Sequence, residues 1–111
     1  MTTDKSRSLA LAGIFMSMTA ALHVCAIVVS GLSLSGFAFL LVGLGYAALA
    51  LSFLNGFGDW AGKTVLILLI GIACAYILRS IGIAVPGWWL TPIIWADIAA
   101  VLCLVLFILR R

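Results

Sequence analysis

Residues Trp88 to Arg111 read WWLTPIIWADIAAVLCLVLFILRR. Two Trp residues open the stretch, about twenty apolar residues follow, and two Arg residues close it. A bilayer explains all three features. The apolar length matches a hydrocarbon core of ~30 Å at ~1.5 Å per helical residue. Trp gathers at membrane–water interfaces, and Lys and Arg mark a cytoplasmic end. Asp97, inside the apolar run, is the one residue that a bilayer does not explain.

Composition extends this reading to the whole chain. Of 111 residues, 67% are hydrophobic and 8% are charged, whereas an ordinary soluble domain carries roughly a quarter charged residues. The chain is therefore expected to be an all-α integral membrane protein, and its partners to be the lipid bilayer and other transmembrane helices. No basic patch with interleaved aromatics is present, so nucleic acid is not an expected partner.

Four segments are expected to cross the membrane, at about 9–29, 37–54, 64–83 and 90–109, as one antiparallel up-down four-helix domain. The runs are continuously apolar, without the alternation that a membrane barrel needs. Residues 1–8 read as a polar leader. A cleaved signal peptide is the competing reading of the first run, but the run is long and lacks a small-x-small exit site. Ser30–Gly36 reads as a tight turn, and Asn55–Lys63 as a Gly-rich loop. Gly62-Lys63-Thr64 spells G-K-T, yet Phe57 stands where a phosphate-binding loop needs Gly, and the stretch follows a helix rather than a strand. Around 84–92 a Pro- and Trp-bearing linker is expected, with Pro92 in the first turn of the last helix, where no backbone N–H is required.

The basic residues set an expected topology. With the N-terminus cytoplasmic, Lys5, Arg7, Lys63, Arg110 and Arg111 fall on the inner side and Arg79 alone on the outer. That bias puts both termini in the cytoplasm. Trp60 and Lys63 then anchor the inner interface with Arg110 and Arg111, and Trp88 and Trp89 anchor the outer one. A bacterial inner membrane is the expected location.

Three ionisable groups lie at membrane depth. Counting ~1.5 Å per residue from the inner boundary, Asp97 stands roughly 18–20 Å up, Arg79 roughly 24 Å and His23 roughly 21 Å. A buried polar cluster of Asp97, Arg79 and His23 is the expectation, either as a structural Arg79–Asp97 pair or as a site for a proton, an ion or a polar headgroup. His23 could also ligate the metal of a tetrapyrrole pigment or haem. It is the only His in the chain, so no cofactor is required by the sequence. No metal site is expected, because Cys25, Cys74 and Cys103 form no CxxC motif.

Small residues recur along each helix: Gly13, Ser17, Ala21 and Cys25; Gly43 and Ala47; Gly71 and Ala75; Ala96 and Ala100. Such stripes let backbones approach closely, and four of them exceed what one minimal bundle needs. No catalytic constellation is visible, so an enzyme is not expected. The first functional expectation is a non-catalytic accessory or scaffolding subunit of a larger membrane complex, respiratory or photosynthetic for example. The alternative is a small oligomeric transporter or channel using Asp97 with Arg79 and His23. The third is pigment, haem or quinone binding through His23.

Overall fold

The computed structural model describes the backbone of residues 2–31, 34–82 and 87–110, with side chains for all of these except 2–6, 30, 35 and 87. Four helices follow in order: α1 (Thr2–Ser30), α2 (Leu34–Leu54), α3 (Ala61–Ile81) and α4 (Gly87–Arg110). Each contains a stretch long and apolar enough to cross a membrane, and these mark the chain as a membrane protein. Hydrocarbon offers a backbone no hydrogen-bonding partner, so an apolar run of this length satisfies itself as a helix. The molecule measures 45 × 22 × 19 Å, close to the thickness of a bilayer with its headgroups.

The helix ends are made by local chemistry. After α2, the Phe57 N–H donates to the Ser52 carbonyl (2.9 Å) and the Gly56 N–H to the Phe53 carbonyl (3.0 Å), the paired bonds of a Schellman stop. Gly56 has φ +86°, a left-handed conformation that a Cβ would strain. Gly82 ends α3 with φ +80° and its N–H on the Leu78 carbonyl, the single bond of an αL stop.

Several expectations about boundaries change. α2 begins at Leu34 rather than 37 and α3 spans Ala61–Ile81 rather than 64–83, so the ends of the expected Ser30–Gly36 turn and Asn55–Lys63 loop are helical. The polar leader is helical from Thr2, so α1 begins ahead of its apolar run. α4 begins at Gly87, which moves Trp88 and Trp89 into the helix and Pro92 into its second turn. There Pro92 has no N–H to offer the Trp88 carbonyl one turn back. The rest of that expected linker, 84–86, lies outside the described residues, as does Arg111.

Packing is uneven. α1 packs closely on α2 and on α4, and α4 on α3, whereas α2 and α3 do not form a close pair among the described residues. Along the α1/α2 seam, Gly13 meets Leu54, and Gly43 meets Ala20, His23 and Val24. The contacts run in opposite directions along the two helices, so they are antiparallel. A Cβ on Gly43 would fall 2.9 Å from the Ala20 carbonyl oxygen, so the absence of a side chain there is what lets these backbones touch. The core of α1 is a stripe of Leu9, Ala12, Met16 and Ala20 packed with Tyr46, Ala50, Phe53, Ala100 and Leu104, and Ala26 further along packs with Ala75, Leu90 and Ile93.

The small-residue stripes divide. Gly43, Ala75, Ala96 and Ala100 are buried and Ala47 and Gly71 are half-buried, whereas Ser17, Ala21 and Cys25 are exposed. Only Gly13 of the α1 stripe faces inward.

Candidate functional site

Asp97 is ten residues from the start of α4 and thirteen from its end, which puts it near the middle of the span. It is 1% exposed. A carboxyl group in hydrocarbon needs a partner, and the partner is Thr19 of α1, whose hydroxyl donates to Asp97 Oδ1 at 2.6 Å. One turn later on α1 is His23. Its Nδ1 lies 2.7 Å from the Thr19 carbonyl oxygen, and 3.4 Å from Thr19 Oγ1. A carbonyl only accepts, so Nδ1 carries the proton, and in the neutral ring Nε2 is left as an acceptor. Thr19 thus joins the two ionisable residues, its side chain serving Asp97 and its carbonyl serving His23.

The second Asp97 oxygen faces α2 and α3. A Cβ placed on Gly71 would lie 3.8 Å from Asp97 Oδ2 and 2.7 Å from Tyr46 Oη. Both oxygens therefore crowd the same point on α3, and they do so because position 71 has no side chain. The Tyr46 ring meets the imidazole of His23 edge-on at 5.0 Å, and Phe39 lies tilted against that imidazole at 5.5 Å. Thr19, His23, Tyr46 and Asp97 are all buried, so three helices contribute to one polar cluster in an otherwise apolar interior.

A cleft opens over this cluster, where α2 and α3 fail to close on each other. It has a volume of ≈ 370 Å³, and its walls are apolar residues such as Val42, Ile67 and Ile70. His23, Tyr46 and Gly71 also line it. Asp97 lies one layer deeper, behind Gly71.

Arg79 does not join the cluster. It is exposed in the last turn of α3, eight residues or ~12 Å of helix beyond the level of Gly71. Depths counted from the basic ends bring Arg79 and Asp97 together, but α3 ends two residues after Arg79, whereas Asp97 is mid-helix. Among the described residues Asp97 has no cationic partner, and its buried partner is a hydroxyl. His23 does belong to the cluster. Thr19 and Tyr46 are the members that sequence reasoning missed. The available signal for Thr19 was its spacing of four from His23, which puts both on one helix face. For Tyr46 it was a phenol in the middle of an apolar span.

The other expected residues occupy separate places. Lys63 Nζ lies 4.5 Å from the centre of the Trp60 ring, and Arg110 is exposed at the end of α4. Trp88 and Trp89 meet edge to face at 5.7 Å. Trp89 also donates its indole N–H to the Leu22 carbonyl at 3.1 Å, a second polar tie between α4 and α1. Among the described residues no set of three or more His, Cys, Asp or Glu is grouped to hold a metal. The three cysteines are free. Comparison of the chain with protein-family models, curated proteins and solved structures finds no match in any of the three.

Proposed function

We propose that this protein is a small intramembrane binding protein. Its α2/α3 cleft takes a lipid-soluble molecule sideways from the bilayer and seats the polar end of that molecule on His23 and Tyr46. The observation that carries this reading is the coincidence of cleft and cluster: apolar walls enclosing ≈ 370 Å³ end on His23 of α1 and Tyr46 of α2. Small-molecule sites have this composition, mostly apolar with a few convergent polar groups. The Phe39 and Tyr46 rings already packed on the imidazole favour a compact head over a flat tetrapyrrole. In a transport form of the same reading, Asp97 is the group loaded and unloaded during turnover. Asp97→Asn then abolishes substrate-dependent proton flux while assembly persists.

The test is mass spectrometry of small molecules retained after purification in mild detergent. The wild-type chain should retain a compound that Cys74→Phe, which fills the cleft wall, does not. Identical extracts from the two proteins would remove the reading.

A second reading rests on a different surface. Ser17, Ala21 and Cys25 are exposed on α1, and Trp95, close to mid-span, is 67% exposed. Trp95 borders a groove of ≈ 560 Å³ between α1 and α4, lined also by Phe15, Met18, Ala21, Pro92 and Ala99. Trp prefers interfaces to the hydrocarbon centre, so these features favour cover by further helices, as in a non-catalytic subunit of a larger complex. Co-purification with larger proteins at fixed stoichiometry is the expected result, and isolation only as a self-oligomer counts against it. We assign both termini to the cytoplasmic side of a bacterial inner membrane, because five of the six Lys and Arg then lie inside. Reporter fusions at the C-terminus test this assignment.

A further inference from the structure

We infer that the ligand of the α2/α3 cleft is a lipophilic amine, bound as its cation, with Asp97 as the balancing charge. The inference rests on the binding reading above and adds the chemistry of the ligand. Its first support is charge complementarity. Asp97 is buried near mid-span with one neutral hydroxyl as donor, and the cation expected for it, Arg79, is exposed near the end of α3. A carboxylate at that depth is costly alone and is normally paired, and within the described residues no side chain supplies the positive partner.

The second support is the polarity of the floor. His23 Nδ1 is committed to the Thr19 carbonyl, so the neutral imidazole has an acceptor at Nε2. Asp97 Oδ2 is an acceptor, and Tyr46 Oη can accept as well. Two acceptors at one end of an apolar cleft, with the Asp97 carboxyl one layer behind them, suit a head that donates hydrogen bonds and carries positive charge, as an ammonium does. The third support is the aromatic wall. Phe39 and Tyr46 line the cleft beside His23, and aromatic faces attract a desolvated cation. Gly71 completes the arrangement. Because it has no Cβ, Tyr46 Oη and Asp97 Oδ2 share the space against α3, and the carboxylate stands one layer behind the part of the lining formed by Gly71 and Tyr46.

The experiment uses the full chain in nanodiscs of zwitterionic lipid, with three probes of equal chain length: decylamine, decanol and decanoate. The readout is the side-chain resonances of His23 and Tyr46, with Tyr76, exposed on α3, as an internal control for general partitioning. Decylamine should shift His23 and Tyr46 saturably, leave Tyr76 in place, and bind at least about tenfold more tightly than decanol or decanoate. Asp97→Asn should reduce the affinity for decylamine to that for decanol, and Asp97→Glu should restore the preference. Equal binding of decylamine and decanol to the wild-type chain overturns the inference while leaving the binding reading intact. An unchanged preference in Asp97→Asn also overturns it. Failure of all three probes to shift His23 and Tyr46 overturns both. The comparison of probes on the wild-type chain decides the matter even if Asp97→Asn does not assemble.

Discussion

Replacing Thr19 with Val keeps the shape of the side chain and deletes the donor to Asp97. The lost bond is short, 2.6 Å, and both residues are essentially inaccessible. Hydrogen bonds to charged groups are worth about 1.5–3 kcal/mol in soluble proteins. Between membrane helices they average about 0.6 and reach about 1.7 kcal/mol, because an inserted but unassembled chain also finds partners. A short bond whose loss strands a buried carboxyl belongs near the upper membrane value, so Thr19→Val should cost about 1.5 kcal/mol. Asp97→Leu removes the acceptor, but the freed Thr19 hydroxyl can turn back to its own helix, as Ser17 does on the Gly13 carbonyl. The double variant should therefore be no less stable than Thr19→Val alone, since an apolar pair replaces a half-satisfied one. A double-mutant cycle followed by helical circular dichroism in mixed micelles measures the coupling, expected at about 1 kcal/mol or more. Arg79→Leu should change stability by less than about 0.5 kcal/mol and add to either single change without coupling. Additive behaviour of Thr19 and Asp97, or coupling of Asp97 to Arg79, would refute the geometry of the site.

Other perturbations separate the packing from the chemistry. Gly43→Ala pushes a methyl against the Ala20 carbonyl and His23 Cβ and should destabilise by about 1–3 kcal/mol. Gly45→Ala, two residues away and facing open space, should be neutral or stabilising by up to about 1 kcal/mol in the same unfolding assay. Gly71→Ala collides with Tyr46 Oη, so it should shift the Tyr46 resonances and lose stability. Tyr46→Phe, which removes the colliding atom, should recover most of that loss. The single imidazole should show ¹⁵N resonances of the Nδ1–H tautomer, as its bond to the Thr19 carbonyl requires. An Nε2–H spectrum would contradict that bond.

Much of the architecture is legible in the sequence, and the site is legible in part. Four apolar runs specify four helices because hydrocarbon admits only helices and closed barrels, and the runs lack the alternation of a barrel. The last helix was expected from 90 and starts at Gly87, because Pro92 is tolerated one turn further in than the first-turn rule suggests. Asp97 and His23 stand out as polar groups at the wrong depth. Arg79 stands out for the same reason, yet it does not reach them, because depth counted in residues says nothing about which face a side chain occupies or where its helix stops. Thr19 stays hidden for a physical reason as well. Hydroxyls in apolar helices usually bond their own backbone, as Ser80 does on the Tyr76 carbonyl, so a membrane Thr carries little information until its neighbour across the helix seam is known. The α1 stripe teaches a related lesson. Spacing of four identifies a smooth face, and only packing tells whether that face is turned to this bundle or, as with Ser17 and Ala21, away from it.

The order in which the helices touch also bears on how the protein is made. α1 with α2, and α3 with α4, are hairpins that each own a close seam, and α2 with α3 has none among the described residues. A ribosome therefore delivers two hairpins in succession, and the late event is their docking through α1 and α4. The Thr19–Asp97 and Trp89–Leu22 bonds are then the clasp between halves rather than part of either. Cutting the gene within the loop at residues 55–60 should leave two fragments that find each other again in one membrane, joined by those bonds and the seam around them.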